Sequence, residues 1–525
     1  MSSYSMSEEY WESFELQTED LEFLYNHLLE LETPLNSREL AEALIDERIH
    51  RKKMEIEKQR TTGGDLYQPK NAYSVQQKLI FPALSWKHGK VTGDRLGYSP
   101  VLGEFQVIQV TFDDGSQREF ASDLLDHKLN EPPKIVEDVG IMTKETVLKI
   151  YSDDLIDTIE EGLSKNPGFI RIAGRWFPRA LLIDINVGHL NLAEAVLDMA
   201  GGGPLPTSEL LKQVEISADV NPKLIEFSMD MALEEDQRFD EVGPAGDVLW
   251  FLRRLEPPQV LSSPIFLRYQ INEYDRSALT SEMLDLEEDL DDELSPFTGN
   301  LGRSDEARVR LIFPHWRSGT LPLSERIRHL FPTAYEAPLV RFILVDGNTN
   351  QKFPGWVVRK EHYVFGLEDW YKSREAMPGS IIQVRKGKQA GEVIVQIENR
   401  RPTREWIRTV LVGSDGGIVF AMLKQIVATP FDERMVIAVP NKEALDATWN
   451  LSPKEQPAFE NTVVNTVREL SKLNPQSHVH VSELYAAVNI IRRSPPGPIL
   501  SLLAISPKFV HVGDLHYRLS NADDD

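Results

Sequence analysis

The sequence contains no cysteine, and this absence removes several classes of chemistry at once. Disulfide frameworks, thiolate metal sites and cysteine nucleophiles are all excluded, which agrees with a reducing compartment. No apolar run approaches the roughly 18 residues that a membrane-spanning helix needs. The first residues, MSSYSMSEE, have no basic segment followed by an apolar one, so no secretory signal is predicted. We therefore expect a cytoplasmic protein with no membrane partner.

Positive charge is also scarce. The 57 Lys and Arg residues face 82 Asp and Glu residues, which gives a formal net charge of −25. Nucleic-acid binding depends on neutralising phosphates, so the charge of the whole chain disfavours non-specific binding. Any nucleic-acid surface must be a local basic patch. The acidic remainder either favours basic protein partners or serves solubility.

Motifs of enzymes are missing as well. The sequence has neither Gly-x-Ser-x-Gly nor His-Glu-x-x-His. The glycines at 201–203 lack the Gly-Lys-Ser/Thr ending of a phosphate-binding loop and follow a helical pattern, so they are interpreted as a helix stop. On a strand, His478 and His480 would share one face, but the sequence places no carboxylate cluster near them. We expect no catalytic residue, no metal and no cofactor.

One pattern occurs three times along the chain, at 167–177, 238–252 and 507–519. Each copy has an aromatic residue, an alternating strand, a glycine-bearing turn and a second strand with an aromatic near its start. This pattern is typical of a β-hairpin that packs its aromatics against preceding helices. Predicted helices precede each copy, and helices followed by a two-stranded hairpin form the winged variant of the helix-turn-helix.

The last copy carries a family resemblance. Residues 456–520 resemble the winged-helix domain of the delta subunit of bacterial RNA polymerase, and residues 140–256 resemble it more loosely. The matching pieces are Val481-Ser482-Glu483-Leu484, which opens the second helix, and the hairpin Phe509-x-x-x-Gly513. The chain departs from that family in Pro495-Pro496-Gly497-Pro498 and in lacking a long acidic tail. The resemblance implies a role near the transcription machinery and transfers no functional residue.

Short alternating strands dominate residues 73–120 and predict a small curled β-barrel with a hairpin turn at Asp114-Gly115. On this hairpin and a Gly-x-Val strand, the segment resembles the KOW and Tudor-type barrels of transcription-associated proteins. Further along, residues 281–293 carry eight acidic residues and no basic one. This composition predicts a flexible linker. Its leucines and methionine leave an acidic-hydrophobic docking segment open as the alternative.

Together these features predict an α+β multidomain fold, with repeated winged-helix modules, a small β-barrel and a larger strand-rich β domain. The predicted segments are an N-terminal helical segment (1–62), the small β-barrel (63–130), tandem winged-helix-like modules (140–256), an acidic linker (257–305), the strand-rich β domain with a basic patch (306–440) and a C-terminal winged-helix domain (456–520).

Local excesses of Lys and Arg mark the candidate nucleic-acid contacts. The strand-rich domain contributes Arg385, Lys386, Lys388, Arg400, Arg401, Arg404 and Arg408, with Trp406 among them. The hairpins and helices of the repeats contribute Arg171, Arg175, Arg492, Arg493 and Lys508. The alternative for both sets is an ordinary solvated basic surface whose tryptophans belong to the core.

The leading functional hypothesis is a non-catalytic DNA-binding or transcription-associated regulatory or architectural protein. DNA would be its partner through the basic patches, with RNA polymerase or another protein as a second partner. The alternative hypothesis is a protein-interaction scaffold whose winged helices dock proteins rather than nucleic acid.

Overall fold

The computed structural model describes residues 8–84, 86–100, 103–130, 142–214, 216, 220–296, 304–389, 391–413, 416–450 and 457–520. These residues form 15 α-helices and 23 strands in six sheets, so the predicted α+β class is confirmed. The chain divides into two compact units. The first comprises residues 1–171 and 175–182, and the second comprises residues 172–174 and 183–525.

The first unit combines a helical body with a curled sheet. Its helices are α1 (Glu8–Glu12), α2 (Thr18–Leu31), α3 (Ser37–Thr61) and α4 (Lys144–Ser164). Its strands are β1 (Leu35–Asn36), β2 (Asp65–Leu66), β3 (Lys78–Phe81), β4 (Lys87–Ser99), β5 (Gly103–Phe112), β6 (Gln117–Ser122), β7 (Phe169–Ile172) and β8 (Arg175–Pro178).

Local sequence signals set the helices of this unit. The Asn36 side chain accepts a hydrogen bond from the Glu39 backbone, and the Glu39 carboxylate accepts one from Asn36, as expected of a capping box. The core joins Trp11 of α1 and Ile45 of α3 to Val147 and Leu155 of α4. The residues before 62 and those after 142 therefore form one body, although the sequence predicts two separate segments.

The sheet between α3 and α4 is a curled half-barrel of five strands in the order β2-β3-β4-β5-β6. Its interior is aromatic: the ring centroids of Tyr67 and Phe81 lie 4.7 Å apart, and those of Phe81 and Phe120 lie 4.4 Å apart. A register shift between Val91 and Gly93 bends the long strand β4, as bulges do in curled sheets. The sequence located this sheet but did not predict that it interrupts a helical body.

The second unit holds the remaining elements. Its helices are α5 (Val187–Met199), α6 (Thr207–Leu211), α7 (Pro222–Glu235), α8 (Pro258–Leu261), α9 (Ser281–Leu290), α10 (Phe313–Ser318), α11 (Glu368–Ser373), α12 (Lys442–Trp449), α13 (Phe459–Ser471), α14 (Val481–Ile491) and α15 (Pro496–Ile505). Its strands are β9 (Leu205–Pro206), β10 (Phe239–Glu241), β11 (Leu249–Leu252), β12 (Glu306–Arg310), β13 (Thr320–Pro322), β14 (Leu339–Asp346), β15 (Lys352–Val358), β16 (Tyr363–Phe365), β17 (Ile381–Lys386), β18 (Glu392–Gln396), β19 (Thr403–Val412), β20 (Ile418–Val427), β21 (Val479–His480), β22 (Phe509–Gly513) and β23 (His516–Leu519).

Three groups of elements share one connectivity of helix, short strand, helix, helix and hairpin. Repeat A is α2-β1-α3-α4-β7-β8, repeat B is α5-β9-α6-α7-β10-β11, and repeat C is α13-β21-α14-α15-β22-β23. In each sheet the last strand lies in the middle. The three hairpins predicted from the sequence repeat are therefore present. Repeat A begins near residue 18 rather than at 140, because the half-barrel separates its second and third helices.

The aromatic near the start of the second hairpin strand is buried in every repeat. Trp176, Trp250 and Tyr517 pair with the short strand of their own sheet and are at most 5% exposed. The indole of Trp176 donates to Ser37 and that of Trp250 to Thr207, each bond 3.0 Å long. Ser37 and Thr207 are both the first residue of the second helix. The repeated aromatic thus ties the hairpin to the helices.

Repeat B and the residues after it bury several carboxyl groups. Burial raises the pKa of Asp230 to about 7 and that of Glu241 to about 8. Burial, with the neighbouring carboxylate of Asp240, also raises the pKa of Glu256 to about 8. The folded state therefore holds protons on these groups that the unfolded chain releases near its ordinary pKa of about 4.

Because these carboxyl groups have raised pKa values, we expect the protein to be less stable at alkaline pH. A raised carboxyl pKa stabilises the fold fully below the ordinary value, and this stabilisation is lost as the pH rises through about 7 to 8. We expect the free energy of unfolding to drop by on the order of 2 kcal/mol between about pH 6 and pH 9. Denaturant unfolding at both pH values measures the drop. Glu256→Gln is expected to reduce it, and an unchanged drop in that variant would show that Glu256 is not a source.

The predicted acidic linker is largely a packed segment. Helix α9 places Met283 and Leu290 in the core that contains repeat C, and the carboxylates of Glu287 and Asp292 are buried. The expectation of a flexible linker at 281–293 is therefore wrong. Its apolar residues at helical spacing bury one face of α9, and its carboxylates Asp292 and Glu293 neutralise the buried Arg493.

The strand-rich segment forms two sheets rather than one. Seven strands pair in the order β12-β17-β18-β14-β15-β16-β13, with β14 and β18 parallel and the other pairs antiparallel. Strands β19 and β20 form a separate two-stranded ribbon, hereafter the ribbon. Val410 and Phe420 of the ribbon belong to the same core as Val463 and Leu484 of repeat C. The segments 306–440 and 456–520, predicted as separate domains, therefore share a hydrophobic core.

Candidate nucleic-acid interface

Arg493 is buried, which corrects its prediction as a nucleic-acid contact. Its side chain is 0% exposed, and its guanidinium donates to the Asp292 carboxylate at 2.6 and 2.8 Å and to Glu293 at 2.7 Å. Burial raises the pKa of Glu293, but Arg493 and His315 outweigh this effect and hold it below its ordinary value. Arg493 cannot meet a phosphate from this position.

Arg408 is also engaged inside the protein. Its guanidinium donates to the backbone carbonyls of Glu433, at 2.7 Å, and of Arg434, and it pairs with Glu483 at 3.2 Å. The side chain is 12% exposed, and burial lowers the pKa of Arg408. It ties the ribbon to helix α14 of repeat C, so its prediction as a surface contact is corrected too.

The hairpin cations of repeat A have partners in their own repeat. Arg171 pairs with Glu160 at 2.7 Å and lies over the Trp176 ring, 5.4 Å from its centroid. The exposed Arg175 donates to the Pro34 carbonyl at 3.2 Å. Both guanidinium groups stabilise the contact between the hairpin and the helices.

Arg492 and Lys508 of repeat C have partners as well. Arg492 donates to the Pro457 carbonyl at 3.3 Å and lies 5.5 Å from the ring centroid of Phe459. Lys508 lies at the surface and pairs with Glu460 at 3.0 Å. Exposed pairs of this kind contribute little to stability, so Lys508 stays accessible to a ligand.

In a DNA-binding winged helix the third helix is the one that enters the groove. The third helices of the three repeats are poorly suited to contact phosphates. Helix α4 carries two lysines and six carboxylates, and α7 carries one lysine and four carboxylates. Helix α15 has no charged side chain, and seven of its ten residues are buried. A Cβ at Gly497 would lie 2.5 Å from the hydroxyl of Tyr274, which shows how closely the segment before α9 covers this helix.

The predicted basic patch divides into two groups. Lys386 pairs with Val393, so Arg385, Lys386 and Lys388 lie at the hairpin end of β17 and β18. The second group, Arg400, Arg401 and Arg404, follows β18. It lies toward the start of β17, because the Arg400 guanidinium lies over the Phe431 ring and Phe431 forms a β-bridge with Ser380, the residue before β17. The five residue steps of β17 separate the two ends by about 17 Å.

One face of the ribbon combines cations with exposed apolar side chains. Arg404 lies opposite Ile426 and Trp406 opposite Lys424, and directly opposed residues of an antiparallel pair share a face. Trp406 is 60% exposed and Ile426 is 62% exposed, while the Lys424 ammonium lies 5.3 Å from the Trp406 ring centroid. These four residues are called the ribbon site. An indole this exposed between two cations suits contact with an anionic, aromatic ligand.

A cavity of about 580 Å³ adjoins the ribbon site. Gln425 and Ile426 of the ribbon line it together with Trp316, Arg317, Glu368, Tyr371, Lys372, Glu375, Ala376, Met377, Ala438, Val439, Pro440 and Lys442. The Lys442 ammonium lies 4.2 Å from the Trp316 ring centroid. Burial lowers the pKa of Lys442, and the nearby charges of Arg317 and Lys372 add to this effect.

The histidines singled out in the sequence lie close together without forming a metal centre. The ring centroids of His478 and His480 lie 4.6 and 5.0 Å, respectively, from the ring centroid of His516. The His480 nitrogens lie 3.0 Å from the Ser482 backbone nitrogen and 2.8 Å from Arg434. Burial, Arg434 and His516 lower the pKa of His480 to about 4. Across the described part of the chain, no group of three or more His, Asp or Glu is placed to hold a metal ion.

Comparison with known proteins adds no assignment. No protein-family model matches the chain, and no curated protein or solved structure shows significant similarity to it. Among the residues that the structure describes, no helix has both the length and the apolar character needed to cross a bilayer.

Proposed function

We propose that this chain is a non-catalytic nucleic-acid-binding protein, with a transcription-associated regulatory or architectural role, and that it contacts nucleic acid through the ribbon site. Repeats A, B and C are winged-helix modules in this proposal, because each has the order helix, strand, helix, helix and hairpin with the last strand central. The half-barrel takes the place of the predicted KOW or Tudor-type module.

The exposed Trp406 between Arg404 and Lys424 carries this proposal. Phosphate contacts supply affinity, and aromatic faces stack on bases irrespective of sequence. The acidic or covered third helices make the usual winged-helix mode unfavourable, because helices rich in carboxylates repel phosphates. Nucleic acid then reaches the chain at the ribbon while the repeats serve as a framework.

A protein-docking role for the repeats is the second candidate, and the charge of α4 favours it. Asp153, Asp154 and Asp157 are exposed on this helix, and a basic protein surface would complement them. This role is compatible with nucleic-acid binding at the ribbon. It becomes the principal function if the ribbon binds no nucleic acid.

Photo-crosslinking tests the proposed contact. The protein is irradiated with an oligonucleotide that carries a photoreactive base, and the crosslinked peptides are identified by mass spectrometry. We expect crosslinks within residues 400–427, because Trp406 and Lys424 lie there, and we expect their loss at about 1 M salt, where charges are screened within about 3 Å. Crosslinks confined to α4, α7 or the hairpins of the repeats would contradict the ribbon as the contact.

A further inference from the structure

The ribbon site offers an aromatic face that a double helix cannot use. The bases of a duplex are stacked on each other, so a side chain reaches their faces only after unstacking or at a single strand. Trp406 is 60% exposed and sits on a regular two-stranded ribbon, whose register sets its backbone position opposite Lys424. An exposed indole between cations therefore favours bases that are already unpaired.

The ribbon site continues directly into the cavity. Ile426, which lies opposite Arg404, is both a member of the ribbon site and a lining residue of the cavity. The volume of about 580 Å³ lies within the range of about 300–1,000 Å³ that is usual for small-molecule sites. A single nucleotide suits this space, whereas a duplex is too wide to enter it.

Most charges at the cavity already have partners. Arg317 binds Asp446 in a bidentate pair at 2.6 and 3.0 Å, and Lys372 pairs with Glu368 at 2.8 Å. Glu375 adds a further carboxylate to the lining.

Lys442 differs from these cations. No carboxylate of the described residues lies within ion-pair distance of its ammonium, which faces the Trp316 ring instead. Among the cations of the described lining, Lys442 thus stands without an ion-pair partner, beside an apolar wall that includes Trp316, Met377 and Ile426.

We infer that the ribbon site and the cavity form one site for single-stranded nucleic acid. Trp406 stacks on one base, a neighbouring base enters the cavity against its apolar wall, and Lys442 binds a phosphate between them. This inference rests on the proposed function and specifies its ligand as an unpaired strand.

Fluorescence anisotropy with a labelled single strand and with its duplex, at one low salt concentration, tests the inference. We expect the single strand to bind at least tenfold more tightly. Trp406→Ala is expected to weaken single-strand binding about tenfold, which matches the loss of one stacked base, and to weaken duplex binding less. Trp406→Phe keeps an aromatic face and is expected to retain most of the affinity. Lys442→Gln is expected to weaken single-strand binding several-fold.

The outcomes separate this inference from the proposal on which it rests. Equal affinity for the single strand and the duplex, or unchanged binding in Trp406→Ala, would overturn the inference while nucleic-acid binding stands. Unchanged single-strand binding in Lys442→Gln would show that the cavity takes no part in binding and would overturn that part of the inference. Absence of binding to either form would overturn the proposed function itself. Polyglutamate can be added as a competitor at the same concentration of negative charges as the strand. If it displaces the strand, the surface binds acidic proteins and the inference is overturned.

Discussion

Replacement of Arg493 by methionine is expected to lower the free energy of unfolding by about 3 to 5 kcal/mol. The substitution keeps the volume of the side chain but removes the cation that neutralises Asp292 and Glu293, both buried. Two buried carboxylates would then lack their guanidinium counter-charge and keep only the contacts of Tyr485 and His315, which costs more than the pair itself contributes. Denaturant unfolding, followed by circular dichroism, measures the change.

Arg492→Met is the matched control, because Arg492 is adjacent and donates to a backbone carbonyl rather than to a buried carboxylate. We expect it to cost less than about 1 kcal/mol. Adding Asp292→Asn and Glu293→Gln to Arg493→Met is expected to recover part of the loss, since neutral amides need no counter-charge. Equal destabilisation by Arg492→Met and Arg493→Met would contradict the assigned role of the buried network.

The helix starts and hairpins could be predicted because they depend on neighbouring residues. Asn36 and Glu39 are three positions apart, and their side chains close the capping box that this spacing predicts. The hairpin of repeat C follows from an aromatic, an alternating strand and a glycine within a few residues. Local signals of this kind need no knowledge of the rest of the fold.

The burial and the partners of Arg492 and Arg493 could not be predicted from neighbouring residues. The two residues are adjacent in the sequence, yet Arg492 is half-buried and donates to a backbone carbonyl, whereas Arg493 is fully buried on Asp292, 201 positions away. The carboxylates that neutralise Arg493 belong to a segment whose composition suggests a linker. Long-range pairing, rather than composition, decides whether such a segment is packed.

The ribbon site shows both what the sequence can predict and what it cannot. The cluster of arginines around Trp406 marked the segment as a candidate, but Lys424 and Ile426 were missed because strand β20 was not predicted. Their places follow from the register of the ribbon, which sets Lys424 opposite Trp406. The glycines at 413, 416 and 417 were the available signal, since they form the turn of this hairpin.

Reversing the charges of the ribbon is expected to weaken nucleic-acid binding strongly. In the variant Arg401→Glu, Arg404→Glu, Lys424→Glu, the two cations of the ribbon site and Arg401, three residues before Arg404, become carboxylates. Each lost phosphate contact weakens binding and each new carboxylate repels the strand, so we expect an affinity loss of roughly a hundredfold at low salt. All three side chains are exposed, so the fold should be retained.

The variant Arg385→Glu, Lys386→Glu, Lys388→Glu is the matched control, since it changes the net charge equally at the other end of strand β17. The decisive measurement is the affinity of both variants and of the unaltered protein for one labelled single strand by fluorescence anisotropy. We expect a large loss for the ribbon variant and at most about a fivefold loss for the control. Equal losses in the two variants, or unchanged binding in the ribbon variant, would contradict it.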